Sequence, residues 1–362
     1  MNPIRLSVSS LVLVSAASAD QVIVPAAKDN TLYQSSTGNL SNGAGPSFFT
    51  GRDANGGIKR AVIAFDVAAH VPAGARIDAA RLVLNLSATN AGATAVGVHA
   101  LLADWGEGTS VALFGGGGGA AATPGDATWV HTFHPSQFWI APGGDFAPSA
   151  SASILVNFQL GSYTWGPTPA MTADVQAWLD QPSLSFGWCI VGNESTFSTA
   201  KRFHSRESSL VAGRPALVVD FTPPPKTYCT AKVNSLGCTP AIGWSGFPSA
   251  SAGSGFAIAA SSELAQKFGL LFYGTSGPQA QPFQGGFLCV QAPTQRTAVQ
   301  DSGGAAGSCS GSYSFEFNAW IAGGGDPALV AGAKVWSQYW SRDPASPSTT
   351  SLTDALEFTI AP

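Results

Sequence analysis

Charge is the scarcest property of this 362-residue chain: Asp, Glu, Lys and Arg together make up 10% of it, against roughly 25% in an average soluble domain. Its surface is therefore covered largely by Gly, Ser, Thr, Asn and Gln. Basic residues are not in excess, since the net charge is −4, which removes the electrostatic footprint of a nucleic-acid binder. Nowhere does an apolar run reach the roughly 18 residues of a membrane span. No CxxC pair occurs and no histidine follows His204, so a zinc site among the C-terminal cysteines is disfavoured. No internal repeat relates the two halves.

What is abundant is punctuation. The chain has 42 Gly and 24 Pro among short apolar runs, with 45% hydrophobic residues overall. That combination excludes long helices and favours turn-rich β structure. Length alone gives a prior of about two domains. Residues 1–19 carry one basic residue (Arg5), an apolar run from Leu11 and an Ala17-Ser18-Ala19 ending, the layout of a cleaved export signal. Thr222-Pro-Pro-Pro-Lys226 is the clearest boundary, because three prolines cannot enter a sheet interior and favour an extended spacer. The expected layout is thus a signal (1–19), a β-sandwich (20–221), a Pro-rich linker (222–226) and a second β-sandwich (227–362).

Strand candidates follow from alternation. Leu82, Leu84 and Leu86 fall on one face of a strand and Arg81, Val83 and Asn85 on the other. Val175 and Trp178 share a face of a short helical turn at 174–179. Apolar runs at 186–191 and 215–221 read as strands flanking KRFHSRE (201–207), which reads as a charged loop. Beyond the linker, runs at 255–260, 268–273, 286–291, 312–319, 333–340 and 355–360 predict six short strands. Four of the five cysteines lie there, and the expected pairs are Cys229–Cys238 and Cys289–Cys309, which close short local loops. Cys189, between Trp188 and Ile190, reads as a small buried apolar residue.

Catalytic constellations are weak. Gly115 to Gly119 is a run of five glycines, but no GKS or GKT follows, so it reads as a surface loop rather than a phosphate cradle. Asp301-Ser302-Gly303-Gly304 matches the centre of a chymotrypsin-type nucleophile motif, yet Gln300 replaces its leading Gly and every histidine precedes the linker; it reads as a turn. His131 and His134, three apart, fall on opposite faces of any strand and read as hydrogen-bonded or solvated. Asp174, Glu194, Glu207 and Asp220 offer carboxylates for glycoside hydrolysis, but nothing marks any two as a pair.

Several strings together resemble the DNRLRE-domain family of secreted bacterial and archaeal proteins. They are KDNTLY near residue 30, NGAG followed by FFTGR, KRAVIAFDV, VPAGARIDAARLVL, DVQAWL, FGWCIVG, and SRE followed by RPALVVDF. The resemblance implies a jelly-roll-like sandwich grouped with carbohydrate-binding modules, without one secure catalytic residue. From Tyr228 onward, YCTAK, FQGGFLCV and QYWSRDPASPSTTSLTDALEFTI resemble a C-terminal domain of secreted planctomycete proteins, a module with the character of an accessory domain.

The resulting expectation is an all-β, secreted, non-catalytic protein. It binds polysaccharide or a glycosylated surface through its N-terminal sandwich, or forms a structural or adhesive part of an envelope or matrix; a hydrolase is the third reading. Sugar rings stack on aromatic planes while their hydroxyls bond Arg, Asp, Glu and Asn. Trp105, Trp129, Trp139 and Trp165 form the candidate platform. Arg52, Asp53, Arg202, His204, Arg206 and Glu207 are the candidate polar contacts, with an Arg206–Glu207 ion pair capping the sandwich as the structural alternative. Sandwiches of this sort often hold a structural calcium, for which Asp29, Asn30 and Asp174 are candidates near strand ends; no other cofactor is expected.

Overall fold

A computed structural model describes residues 20–362, and the export signal read at 1–19 lies outside the described residues. The described residues form two compact units, Asp20–Pro224 and Pro225–Pro362. In both, the regular secondary structure is almost wholly β-strand. Among the described residues no helix is long and apolar enough to cross a membrane.

In the N-terminal unit the first strand, Asp20–Tyr33, serves two sheets. Its first half pairs with Ala216–Thr222, from Asp20 opposite Phe221 to Pro25 opposite Ala216. After an irregularity at Ala26 and Lys28, its second half pairs with Ile58–Phe65. One sheet continues through Arg76–Thr89 and Lys201–His204 to Ser47–Arg52, and the other through Trp188–Val191 and Thr94–Ala100 to Ala152–Val156. The faces between them enclose a core that includes Phe48, Ile63, Phe65, Leu82, Leu84, Leu86, Trp165, Trp188 and Phe203. Leu82, Leu84 and Leu86 are buried in turn with half-buried neighbours, as their alternation predicts.

The expected helical turn is a longer helix, Pro169–Asp180. Thr168 caps it by accepting a 3.1 Å bond from the Met171 amide, and Pro169 sits at the first helical position, where no amide is needed. Met171, Val175, Trp178 and Leu179 form its buried stripe, the spacing of a single helix face.

Two readings are corrected here. KRFHSRE is not a charged loop, because Lys201–His204 is an interior strand paired with Ser47–Arg52 and with Arg76–Thr89. Lys201 is fully buried, and its ammonium donates to the carbonyls of Ala91 (3.1 Å), Gly92 (2.8 Å) and Asn157 (3.3 Å). Second, Trp105, Trp129 and Trp139 are not a surface platform, because the excursion between Ala100 and Ala152 lays them, with Leu101 and Ala127, as an apolar layer over Leu32, Val62, Ala64 and Cys189. That sheet is therefore apolar on both faces.

In the C-terminal unit, Thr350–Thr359, Lys334–Arg342 and Phe268–Gly274 lie side by side in a six-stranded sheet. A three-stranded sheet of Ala241–Gly246, Phe256–Glu263 and Gly311–Glu316 accompanies it. The two share a core that includes Ile258, Leu271, Tyr273, Tyr313, Tyr339, Leu356 and Phe358, and Tyr339 donates across it to the Ile258 carbonyl at 2.9 Å. Gly286–Val290 is not part of this sandwich; it forms a separate hairpin with Pro278–Phe283.

The disulfides also differ from expectation: Cys229 bonds Cys289 and Cys238 bonds Cys309, across sequence separations of 60 and 71. Preference for short loops failed because the cysteines staple elements distant in sequence. Cys189 is the free, buried cysteine.

Candidate functional site

The four tryptophans proposed as a platform are all interior, with Trp129 the most exposed at 9%. Their amphipathic rings are satisfied inside: Trp105 donates to the Phe186 carbonyl, Trp139 to that of Thr128 and Trp165 to that of Val96, each at 2.8–2.9 Å. Trp129 packs under the Arg60 guanidinium, which is itself clamped in two bonds by Glu194 at 2.7 and 2.9 Å. These four rings therefore do not form a stacking platform, because they are core.

The polar candidates are likewise engaged in building the fold. Arg52 donates to the Gly56 carbonyl at 3.0 Å and lies over the Phe197 ring. Asp53 accepts from the amides of Asn55 and Gly57 and pairs with Lys59. Arg202 donates to Ser87, and His204 shares a bond with Ser208. Asp174 accepts from Ser151 and from the Trp188 indole, and Asp220 is held by Gln21 and Arg81. The carboxylates considered for hydrolysis thus have separate partners. His131 and His134 do meet, with ring centroids 4.9 Å apart, because the strand His131–Phe133 ends between them and its register is irregular. His131 is tied to Thr128 at 2.9 Å, and burial followed by its neighbour His134 lowers its pKa.

Sequence-distant residues converge around Arg206. Its Nε lies 2.8 Å from Glu107 Oε1 and 2.9 Å from Glu207 Oε1, and its terminal nitrogen donates to Glu107 Oε2 at 3.0 Å. The Asp29 amide donates to the same Glu107 carboxylate at 2.8 Å, and the Arg206 amide to Asp29 Oδ2 at 2.8 Å. The structure thus contains the Arg206–Glu207 pair named as the structural alternative, enlarged by Glu107 and Asp29. Burial pushes the Asp29 carboxyl well up, opposed by the Arg206 amide and reinforced by Glu207 and Glu107. Burial and then Glu107 raise Glu207. Asn30 stands beside the cluster, but its Oδ1 already accepts from the amides of Thr31 and Asn42 and from the Ser41 hydroxyl. Of the three calcium candidates, Asp29 alone enters a carboxylate cluster. Glu107 was missed because nothing local marks it; only the fold brings it to Arg206.

The C-terminal unit holds a concave aromatic site that the sequence reading did not find. Leu270 pairs with Trp340, and Phe272 with Gln338 on one side and Arg296 on the other. Cross-strand partners share a face, so these residues line the side of the sheet opposite Leu271 and Tyr339. The hairpin Pro278–Phe283 and Gly286–Val290 folds over that side, leaving a cleft of about 320 Å³ lined by Leu270, Phe272, Phe283, Gln284, Leu288, Thr294, Arg296 and Trp340. Its walls are fixed at several points. Cys289 is bonded to Cys229, and its amide donates to Gln338 Oε1 at 3.1 Å. Trp340 donates to Gln284 Oε1 at 3.1 Å, while the Gln284 carbonyl accepts from Lys232 and Ser348. A detectable signal was FGLLFYG, where unbroken apolarity on both strand faces implies a covering layer on each.

Asp301-Ser302-Gly303-Gly304 has no catalytic geometry. The buried Ser302 hydroxyl donates to the Leu264 carbonyl at 2.7 Å and accepts from the Lys267 amide, which makes it a fastening of the adjoining turn.

No protein-family model matches the chain, and no curated protein matches it. Among solved structures, a beta-1,2-glucanase from Parabacteroides distasonis aligns with 92% of this chain at 9% identity and a TM-score of 0.18. The chain covers 37% of that enzyme, and a likeness so slight carries no argument.

Proposed function

We propose that the chain is an extracellular, non-catalytic protein that binds polysaccharide or a glycosylated surface, and that the C-terminal cleft makes the sugar contact. The observation that carries this reading is the cleft's composition. Trp340, Phe272 and Phe283 offer apolar planes, and Arg296, Gln284 and Thr294 offer hydrogen-bonding groups beside them. Sugars present the matching combination of apolar ring faces and peripheral hydroxyls. The volume falls at the lower end of small-ligand sites, which fits a short stretch of glycan. One disulfide and four hydrogen bonds brace the hairpin, so little ordering remains to be done on binding. Disulfides favour an oxidising compartment.

Retention on a glycan array or affinity gel tests the proposal. The native protein is expected to be retained, and Trp340→Ala to lose retention by roughly tenfold or more, the effect of deleting a stacking aromatic at an interface centre. Failure of the native protein to be retained by any glycan would remove the reading.

The N-terminal unit favours a second reading, a structural or adhesive component. Its tryptophans are core, while Leu113, Phe114, Phe138 and Ile140 stand exposed, Phe114 fully so. Ordered multimers in sedimentation or microscopy, indifferent to added sugar, would support it.

A further inference from the structure

We propose that Asp29, Glu107 and Glu207 form a binding site for a hard divalent cation of the calcium class in the N-terminal sandwich. Three segments build it. Asp29 lies in the strand Asp20–Tyr33, Glu107 in the excursion after Thr94–Ala100, and Glu207 just beyond Lys201–His204. One carboxylate oxygen from each comes within 4.8 Å of the other two.

The cluster is incomplete in protein terms, and this points to a ligand independently of its acidity. Asp29 is 1% exposed, yet its Oδ1 has no hydrogen-bond partner, and Glu207 Oε2 is buried in the same condition. A buried anionic oxygen without a partner is costly. Arg206 does not supply what is missing. Its guanidinium already serves both oxygens of Glu107 and one of Glu207, and its amide takes the other oxygen of Asp29. With all three carboxyls ionised, one guanidinium among them leaves two negative charges uncompensated, the charge a divalent ion neutralises.

Donor chemistry selects the class of ion. All donors are carboxylate oxygens with no imidazole or thiolate among them, a set that suits hard cations over zinc or copper. Calcium accepts six to eight oxygens in irregular arrangements, whereas magnesium holds to an octahedron and keeps its waters. A carboxylate already paired with arginine keeps lone pairs for a metal, so Glu107 can bridge Arg206 and the ion. The side chains of Glu107 and Glu207 remain 17% and 24% exposed, which leaves an entry path and room for water to complete the shell.

The test is calcium chloride titrated calorimetrically into chelator-treated full-length protein, with thermal unfolding followed in parallel. A single equivalent is expected to bind and to raise the unfolding midpoint. Glu207→Gln and Asp29→Asn should each weaken binding by at least the roughly tenfold that loss of an outer partner costs. Circular dichroism verifies that both variants fold; if Asp29→Asn does not, Glu207→Gln decides, since its side chain is partly exposed. Absence of both heat and midpoint shift with the native protein overturns the site. So does calcium affinity unchanged in the folded variants.

Discussion

Glu263→Gln should flatten the dependence of C-terminal stability on pH. Glu263 ends the strand Phe256–Glu263 and is fully buried. Its Oε2 accepts a 2.8 Å bond from Ser341, while Oε1 has no partner. Burial raises its pKa from 4.5 to about 7, against the opposing Ser341 bond and with help from the charge of Asp343. Tyr313 and Tyr339, whose own hydroxyls titrate far higher, also face it. The folded carboxyl binds its proton more tightly than the unfolded one, so its contribution to stability is fully present below pH 4.5 and is lost as pH rises through about 7. At about 1.4 kcal/mol per pH unit, the span from 4.5 to about 7 amounts to about 3 kcal/mol. Glutamine keeps the acceptor for Ser341 and cannot ionise. Urea unfolding with disulfides intact, from about pH 4 to about pH 8.5, measures the effect, because subtracting the two profiles cancels every other titrating group. The native protein should lose about 3 kcal/mol relative to the variant across that window. Parallel profiles would refute the reasoning and mean that Glu263 is hydrated or paired when charged.

Peptide mapping without reduction should recover Cys229 joined to Cys289 and Cys238 joined to Cys309; breaking either bond should cost roughly 2–5 kcal/mol in chemical unfolding. Cys189 should resist a thiol reagent in the native protein, since burial pushes its thiol up to about 12, and should react stoichiometrically once denaturant is added. Lys201→Met leaves the carbonyls of Ala91, Gly92 and Asn157 without their shared donor, so it should lower the stability of the N-terminal unit by roughly 1–3 kcal/mol, read from its unfolding transition.

Strand periodicity and the helical stripe could be read from the chain because both depend on near neighbours. Leu82, Leu84 and Leu86 declare a buried face by spacing alone, and so do Val175 and Trp178. The errors arose where a distant segment supplied the partner. Lys201 looks like a solvated charge until three backbone carbonyls from remote turns close around it. Trp105, Trp129 and Trp139 sit in turn-rich sequence, which normally lies at the surface, but here that sequence forms a layer over a sheet. The cysteine pairs differ from expectation for a related reason: loop entropy favours near neighbours, whereas the fold brings Cys229 to the hairpin bearing Cys289. Asp29, Arg206 and Glu207 are each legible as candidate polar groups, yet their meeting point depends on Glu107, whose surroundings in sequence do not mark it.

The first strand's divided allegiance has a mechanical consequence. Asp20 pairs with Phe221 and Pro25 with Ala216 in antiparallel register, so the two ends of the N-terminal unit lie side by side. A load applied between those ends pulls from one end of that pair and peels its bonds in sequence, starting at Asp20 and Phe221. The irregularity at Ala26 and Lys28 then stands as a stop, because past it the strand belongs to the other sheet. Tension across this unit would be spent first on six residue pairs at its margin, leaving the second half of the strand, which carries Asp29, in place until the peel has passed that stop.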